Sequence, residues 1–139
     1  MKSTIKHVDN MQFTATADSG HEVIMDAPPS VGGNNKGSKP SELLLMGFGG
    51  CTGMDVISIL RKKKQDVTGF EMHVNGETSE SHPKMFTDIH IEYVLTGKNI
   101  SEDAVKRAIE LSLERYCTVG TTIGKAAKIT HSYKIIQEG

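Results

Sequence analysis

The chain has 139 residues, room for one domain at the usual scale of about 100–200 residues. Sixteen Lys+Arg against 17 Asp+Glu leave a net charge of -1, without the basic excess of a dedicated nucleic-acid or acidic-membrane binder. Two cysteines, Cys51 and Cys117, allow one disulfide at most, which excludes a disulfide framework and leaves two thiols as the unusual chemistry.

In chain order, residues 1–17 hold no continuous apolar stretch behind Lys2 and do not read as a signal peptide, so a cytoplasmic protein is expected. Residues 2–26 read as short strands. The segment 11–17 (MQFTATA) alternates with period two, Asp18-Ser19-Gly20 makes a turn, and 21–26 is its hairpin partner. Residues 27–39 carry two prolines, three glycines and two asparagines and form a loop, long enough to be functional or mobile. Gly32 and Gly37 have phosphate-loop spacing, but Ser38-Lys39 stands where Lys then Ser/Thr is required, and nucleotide binding is excluded.

Residues 40–64 form a helix, with Pro40 in its first turn, Glu42 at the positive end of its dipole and Arg61-Lys62-Lys63-Lys64 at the negative end. Its side chains are apolar nearly all round, which predicts burial on most sides. Asp55 and the glycines argue for a buried helix over a membrane span. Gly47, Gly49, Gly50 and Gly53 each cost about 1 kcal/mol of helix propensity relative to Ala, and together they imply close approach by another backbone. Residues 66–79 and 86–96 are strands. Ser101 caps a second helix with Val105, Ala108, Ile109, Ser112 and Leu113 close to helical spacing, ending near Cys117. A short helical segment over 118–127 leads to a last strand, 128–137. The order predicts a single α+β domain, 1–139, with antiparallel sheets around buried central helices.

Cys51 sits in Gly49-Gly50-Cys51-Thr52-Gly53, among side chains small enough for a ligand to reach the sulfur. A free cysteine is also a good small core residue, so a packing role for both thiols stays open. The functional alternative is thiol redox chemistry, in which a sulfenic acid condenses with a second thiol. Asp55 falls one turn beyond Cys51 on the same face; its charge would raise the thiol pKa unless a cation offsets it, or it is a buried aspartate bonded to backbone or to a partner subunit. None of the six histidines stands at a recognised ligand spacing and there is no Cys-x-x-Cys, so no metal site is expected.

The run Pro40-Ser41-Glu42-Leu43-Leu44-Leu45, then Gly49-Gly50-Cys51-Thr52-Gly53-Met54-Asp55-Val56, resembles the core of the OsmC/Ohr family. His82-Pro83 before Phe86-Thr87 and His90, and later Arg115-Tyr116-Cys117, fit its OsmC-like branch. The resemblance implies an intertwined homodimer with thiol sites at the subunit interface, reducing organic hydroperoxides with Cys51 peroxidatic and Cys117 resolving. It implies no cofactor beyond an external dithiol reductant, and a hydroperoxide or other apolar ligand as partner; separately, the apolar neighbours Leu44, Phe48 and Met54 are expected from composition to favour alkyl or lipid peroxides. The family's peroxidases place a glutamate directly after the proline; here Ser41 intervenes, and Glu42 is expected to serve the helix dipole. They also draw an arginine from the N-terminal strands, whereas no arginine precedes Arg61, leaving Lys2, Lys6 or His21 as stand-ins. The alternative reading is a small-molecule-binding or redox-responsive dimer of the same fold with little turnover.

Overall fold

The computed structural model describes residues 1–139, which divide into two compact units, Met1–Leu44 and Leu45–Gly139. The first unit is a three-stranded antiparallel ribbon of β1 (Ser3–Asp9), β2 (Gln12–Ala17) and β3 (Glu22–Met25). Phe13 of β2 pairs with His7 on one side and Met25 on the other. Asn10 and Gly20, both with left-handed backbone, turn the chain between strands. The hairpin read over 11–26 is present, and β1 adds a strand on its other edge.

Residues 27–39 form the expected loop, but it is tied to the ribbon along its length. Pro29–Val31 makes a 3-10 turn closed by Gly32 at φ +88°. Asp26 is buried and accepts from the Ala27 amide at 2.7 Å and the Lys36 amide at 3.0 Å. Its own amide donates to the Ser38 carbonyl. Gly37 passes so close to β3 that a Cβ there would lie 2.5 Å from the Ile24 carbonyl oxygen. The amides of Gly33 and Asn35 donate to the carbonyls of Pro28 and Ala27. The loop thus spends these amides on its own chain.

α1 (Pro40–Lys62) begins in the first unit, and the division falls after Leu44. In the second unit it is followed by β4 (Asp66–Thr78), β5 (Phe86–Lys98), α2 (Glu102–Leu111), a π turn (Ser112–Tyr116), α3 (Thr118–Ile123) and β6 (Lys128–Gln137). Ser101 caps α2 as expected, its hydroxyl accepting from the Ala104 amide. The sheet order is β4-β5-β6, with β4 antiparallel to β5. β6, however, runs parallel to β5, so the sheet is mixed where an antiparallel one was expected. The reason lies in the connection: between Lys98 and Lys128 the chain inserts α2, the π turn and α3, a crossover of the length and kind that joins parallel strands.

β5 is the central strand, and its alternation sets the core. Ile89, Ile91, Tyr93 and Leu95 point to one face and are fully buried with Phe48, Val56 and Leu60 of α1 and Val105, Ala108 and Ile109 of α2. Each aliphatic side chain so buried contributes about 1.5–3 kcal/mol. His90, on the opposite face, bridges Thr130 and Ser132 of β6 through its two ring nitrogens.

α1 is long and apolar enough to cross a bilayer, with a mean hydropathy of 1.7 over 18 residues. Its buried residues Phe48, Gly49, Thr52, Gly53, Val56 and Leu60 nevertheless make one stripe facing the core, as a core helix does. Within the chain this is one side, not most sides: Met46 is 55% and Met54 73% exposed.

The Asp26 carboxylate gives the loop an acid-sensitive anchor. The Lys36 and Ala27 amides, the largest influences on it, hold its pKa below the usual 3.8. A carboxylate depressed in the folded state stabilises above its unfolded pKa, and that stabilisation is lost as pH falls through the folded value. Hydrogen exchange corrected for intrinsic rates should show protection at Lys36 and Ala27 constant near neutrality and declining below about pH 4. Asp26→Ala should abolish that protection at every pH.

Candidate functional site

Cys51 lies at the middle of α1, half-buried against the core. Two of the glycines around it decide how deeply that turn can sit. A Cβ on Gly49 would lie 3.2 Å from Val74 Cγ2, and one on Gly53 2.7 Å from Met72 Cε. The close approach is therefore made by β4 side chains and not by another backbone, and Gly47 and Gly50 meet nothing within 4 Å.

Cys117 is fully buried, at the junction of the π turn and α3. Its amide donates to the Ser112 carbonyl at 2.8 Å, the five-residue closure of a π turn. Its Sγ accepts from the Gly120 amide at 3.2 Å. Gly120 has no room for a side chain: a Cβ would lie 2.9 Å from the Phe48 ring and 3.0 Å from Cys117 Sγ. Phe48, expected to favour apolar substrates, is instead a core residue behind the buried thiol.

The two cysteines adjoin, and both are free. Burial pushes the Cys117 thiol up to about 12, against the pull of the Gly120 amide; the neighbouring Cys51 thiol and the Asp55 charge raise it further. Cys117 therefore stays a protonated thiol at neutral pH, screened from solvent, while Cys51 is the sulfur a solute can reach.

Within the chain the Asp55 carboxylate is bonded to a side chain and not to backbone. It accepts from the Ser112 hydroxyl at 2.9 Å and heads a chain of side chains that joins α1, the π turn and β5. Ser112 Oγ lies 2.7 Å from Thr52 Oγ1, which lies 2.8 Å from the Tyr93 hydroxyl. An ionised carboxylate only accepts, so Ser112 donates to Asp55. Having one hydrogen, Ser112 then accepts from Thr52, and Thr52 accepts from Tyr93. Thr52, Ser112 and Tyr93 are fully buried, and no buried side-chain polar atom lacks a partner. Burial pushes the Tyr93 phenol up to about 12, with Thr52 pulling the other way and the charges of Cys117 and Asp55 adding to the rise.

Of the residues expected at a site, the structure gathers Cys51, Cys117 and Asp55. Glu42 is an exposed capping residue: the Lys39 amide donates to its Oε1 at 2.8 Å, and its own amide donates to the Lys39 carbonyl. That matches the expected helix-end role. Lys2, Lys6 and His21 are exposed on the ribbon. Thr52, Ser112 and Tyr93 were not anticipated. The available signal was Ser112 itself, a hydroxyl in line with Val105, Ala108 and Ile109 on the apolar stripe of α2, where a buried polar group needs a partner.

Both raised groups predict alkaline sensitivity. A group whose folded pKa exceeds its unfolded value stabilises fully below the unfolded pKa, and the contribution is lost as pH rises through the folded one. Urea midpoints should therefore hold up to about pH 8 and fall between roughly pH 9 and 12, the interval from an ordinary thiol to the folded value. Tyr93→Phe combined with Cys117→Ala should start from a lower midpoint and show a shallower decline over that interval.

Comparison with known proteins identifies the family. The sequence profile of OsmC-like proteins matches residues 33–132. Protein YhfA of Escherichia coli K12 is 38% identical over 136 residues, 98% of each chain. The crystal structure of a hypothetical protein from Aquifex aeolicus VF5 superposes with a TM-score of 0.87 at 30% identity, covering 99% of this chain and 97% of that one. An organic hydroperoxide resistance protein OsmC from Legionella pneumophila shares the fold, with a TM-score of 0.68 at 12% identity over 96% of this chain and 97% of its own. The chain belongs to the OsmC-like protein family.

Proposed function

We propose that this protein reduces organic hydroperoxides with Cys51 as the peroxidatic and Cys117 as the resolving cysteine. The observation that carries the reading is the adjoining pair of free thiols, one reachable and one enclosed. The Cys51 thiolate attacks a peroxide oxygen; the S–O bond forms, the O–O bond breaks, and the alkoxide leaves and is protonated to the alcohol. Cys117 sulfur then attacks the sulfenic sulfur, the S–S bond forms, and the oxygen departs as water with the Cys117 proton. An external dithiol returns both thiols by exchange, and no cofactor takes part.

The working unit in this reading is a homodimer in the cytoplasm, where thiols are kept reduced. Exposed apolar side chains support a second copy: Leu44, Met46 and Met54 on α1, and Ile5, Phe13, Val23 and Ile24 on the ribbon.

One observation favours the second reading, a ligand-binding or redox-responsive dimer with little turnover. Apart from the Gly120 amide, every group acting on Cys117 opposes its ionisation, and Asp55 places negative charge beside the pair.

Consumption of cumene hydroperoxide with dithiothreitol should be catalytic in the wild type and fall to background in Cys51→Ser, a loss of at least about 100-fold if Cys51 alone carries the chemistry. Cys117→Ser should accumulate sulfenate at Cys51. Hydrogen peroxide should be the poorer substrate. Equal background rates for wild type and Cys51→Ser would overturn the peroxidase, and one-time loss of both thiols without turnover would establish the redox-responsive reading.

A further inference from the structure

The only fully buried polar residues of the second unit outside the tyrosine are Thr52 and Ser112, and they touch each other. Each is placed beside a cysteine. Thr52 follows Cys51 on α1, and the Ser112 carbonyl is the acceptor that closes the π turn onto the Cys117 amide. The hydroxyl contact thus spans the same two elements as the thiol pair.

The same two elements share one more hydrogen bond, from Ser112 to Asp55 of α1, and the core around both bonds is apolar, with Phe48, Val56 and Leu60 of α1 and Val105, Ala108 and Ile109 of α2 in one cluster. Apolar contacts tolerate small slides and rotations, whereas a hydrogen bond holds a direction and a distance. A buried hydroxyl left without its partner keeps its desolvation cost with nothing to offset it, so the pair resists separation. Its two outer ends are held as well, Ser112 by Asp55 and Thr52 by Tyr93, which fixes the rotamers of both hydroxyls.

We propose that Thr52 and Ser112 are positioning residues for the thiol pair: their 2.7 Å contact clamps the turn carrying Cys51 to the turn carrying Cys117 and thereby sets how readily the two sulfurs join. The proposal deepens the peroxidase reading and rests on it for its biological meaning, but the clamp itself is testable without any peroxidase activity. In a glutathione exchange, oxidised glutathione gives up one disulfide and yields two thiols while Cys51 and Cys117 lose two hydrogens and form theirs. The equilibrium constant measures the effective concentration of one sulfur at the other.

The experiment titrates the wild type, Thr52→Val, Thr52→Ser and Ser112→Ala against reduced and oxidised glutathione, scoring the Cys51–Cys117 disulfide by intact mass. Thr52→Val and Ser112→Ala should lower the effective concentration on the order of tenfold or more, since small misplacements of reacting groups cost that much. Thr52→Ser, which keeps the hydroxyl, should stay within about twofold of wild type. A second arm treats the same proteins with excess cumene hydroperoxide and reads the ratio of disulfide to sulfinate at Cys51, which should shift toward sulfinate in Thr52→Val and Ser112→Ala. Should Thr52→Val fail to fold, Ser112→Ala read against Thr52→Ser decides the matter. Glutathione constants unchanged across all variants would overturn the clamp. A reduced constant in the variants with no peroxide reaction in any protein would uphold the clamp and defeat the peroxidase.

Discussion

The packing of α1 against β4 at Gly49 and Gly53 is the constraint on which the rest of the second unit depends. Helices keep their axes about 8–10 Å from a neighbour because side chains stand between them. At these two positions one partner has none, and Val74 and Met72 fill the space. The helix is thereby seated with Phe48, Thr52, Val56 and Leu60 facing the core, and Cys51 on the flank of that stripe, half in solvent. The two glycines lower helix propensity by about 1 kcal/mol each. That loss is small beside the burial of four successive core side chains, so the helix forms in spite of them.

On this seat the core carries two kinds of contact that act differently. The apolar cluster supplies most of the stabilisation and little orientation. The chain from Tyr93 through Thr52 and Ser112 to Asp55 supplies about 1 kcal/mol per bond, but each bond has a single allowed direction once the carboxylate is ionised. The line of donors ends at a negative charge beside the thiols. The same carboxylate that anchors the hydroxyls therefore makes Cys117 harder to ionise. Reactivity and order are coupled through one residue: the group that fixes the hydroxyls also helps hold the Cys117 thiol in its neutral form.

Much of the fold was legible because it rests on local pattern. The β-branched and aromatic content of Phe86, Ile89, Ile91, Tyr93 and Val94 identified β5, and Ser101 with Glu102 and Asp103 identified the start of α2. The parallel pairing of β5 with β6 was not read, although the long connection between Lys98 and Lys128, with its helical segments, contained the reason. The burial of α1 on most sides was over-read, because hydropathy records which side chains avoid water without saying which molecule covers them. At the site, the two cysteines and Asp55 stood out by residue type. Thr52 and Ser112 did not, since a threonine beside a cysteine and a serine in a helix are ordinary until their partners, 60 positions apart, are brought together. Glu42 was legible from its place at the helix start, and its carboxylate does what that place suggests.

The π turn before Cys117 carries a last implication, about counting. A π turn uses one residue more than an α turn to close its ring, and here that surplus falls between Ser112 and Cys117. Removing Leu113, Glu114 or Arg115 would let α2 continue as a regular helix and would swing everything after it by about 100°. The sulfur of Cys117 would then leave Cys51 even though both cysteines and every hydroxyl remained in the chain. The pairing of the thiols is thus written in the length of a five-residue segment as much as in its composition, and relatives are better compared there by spacing than by identity.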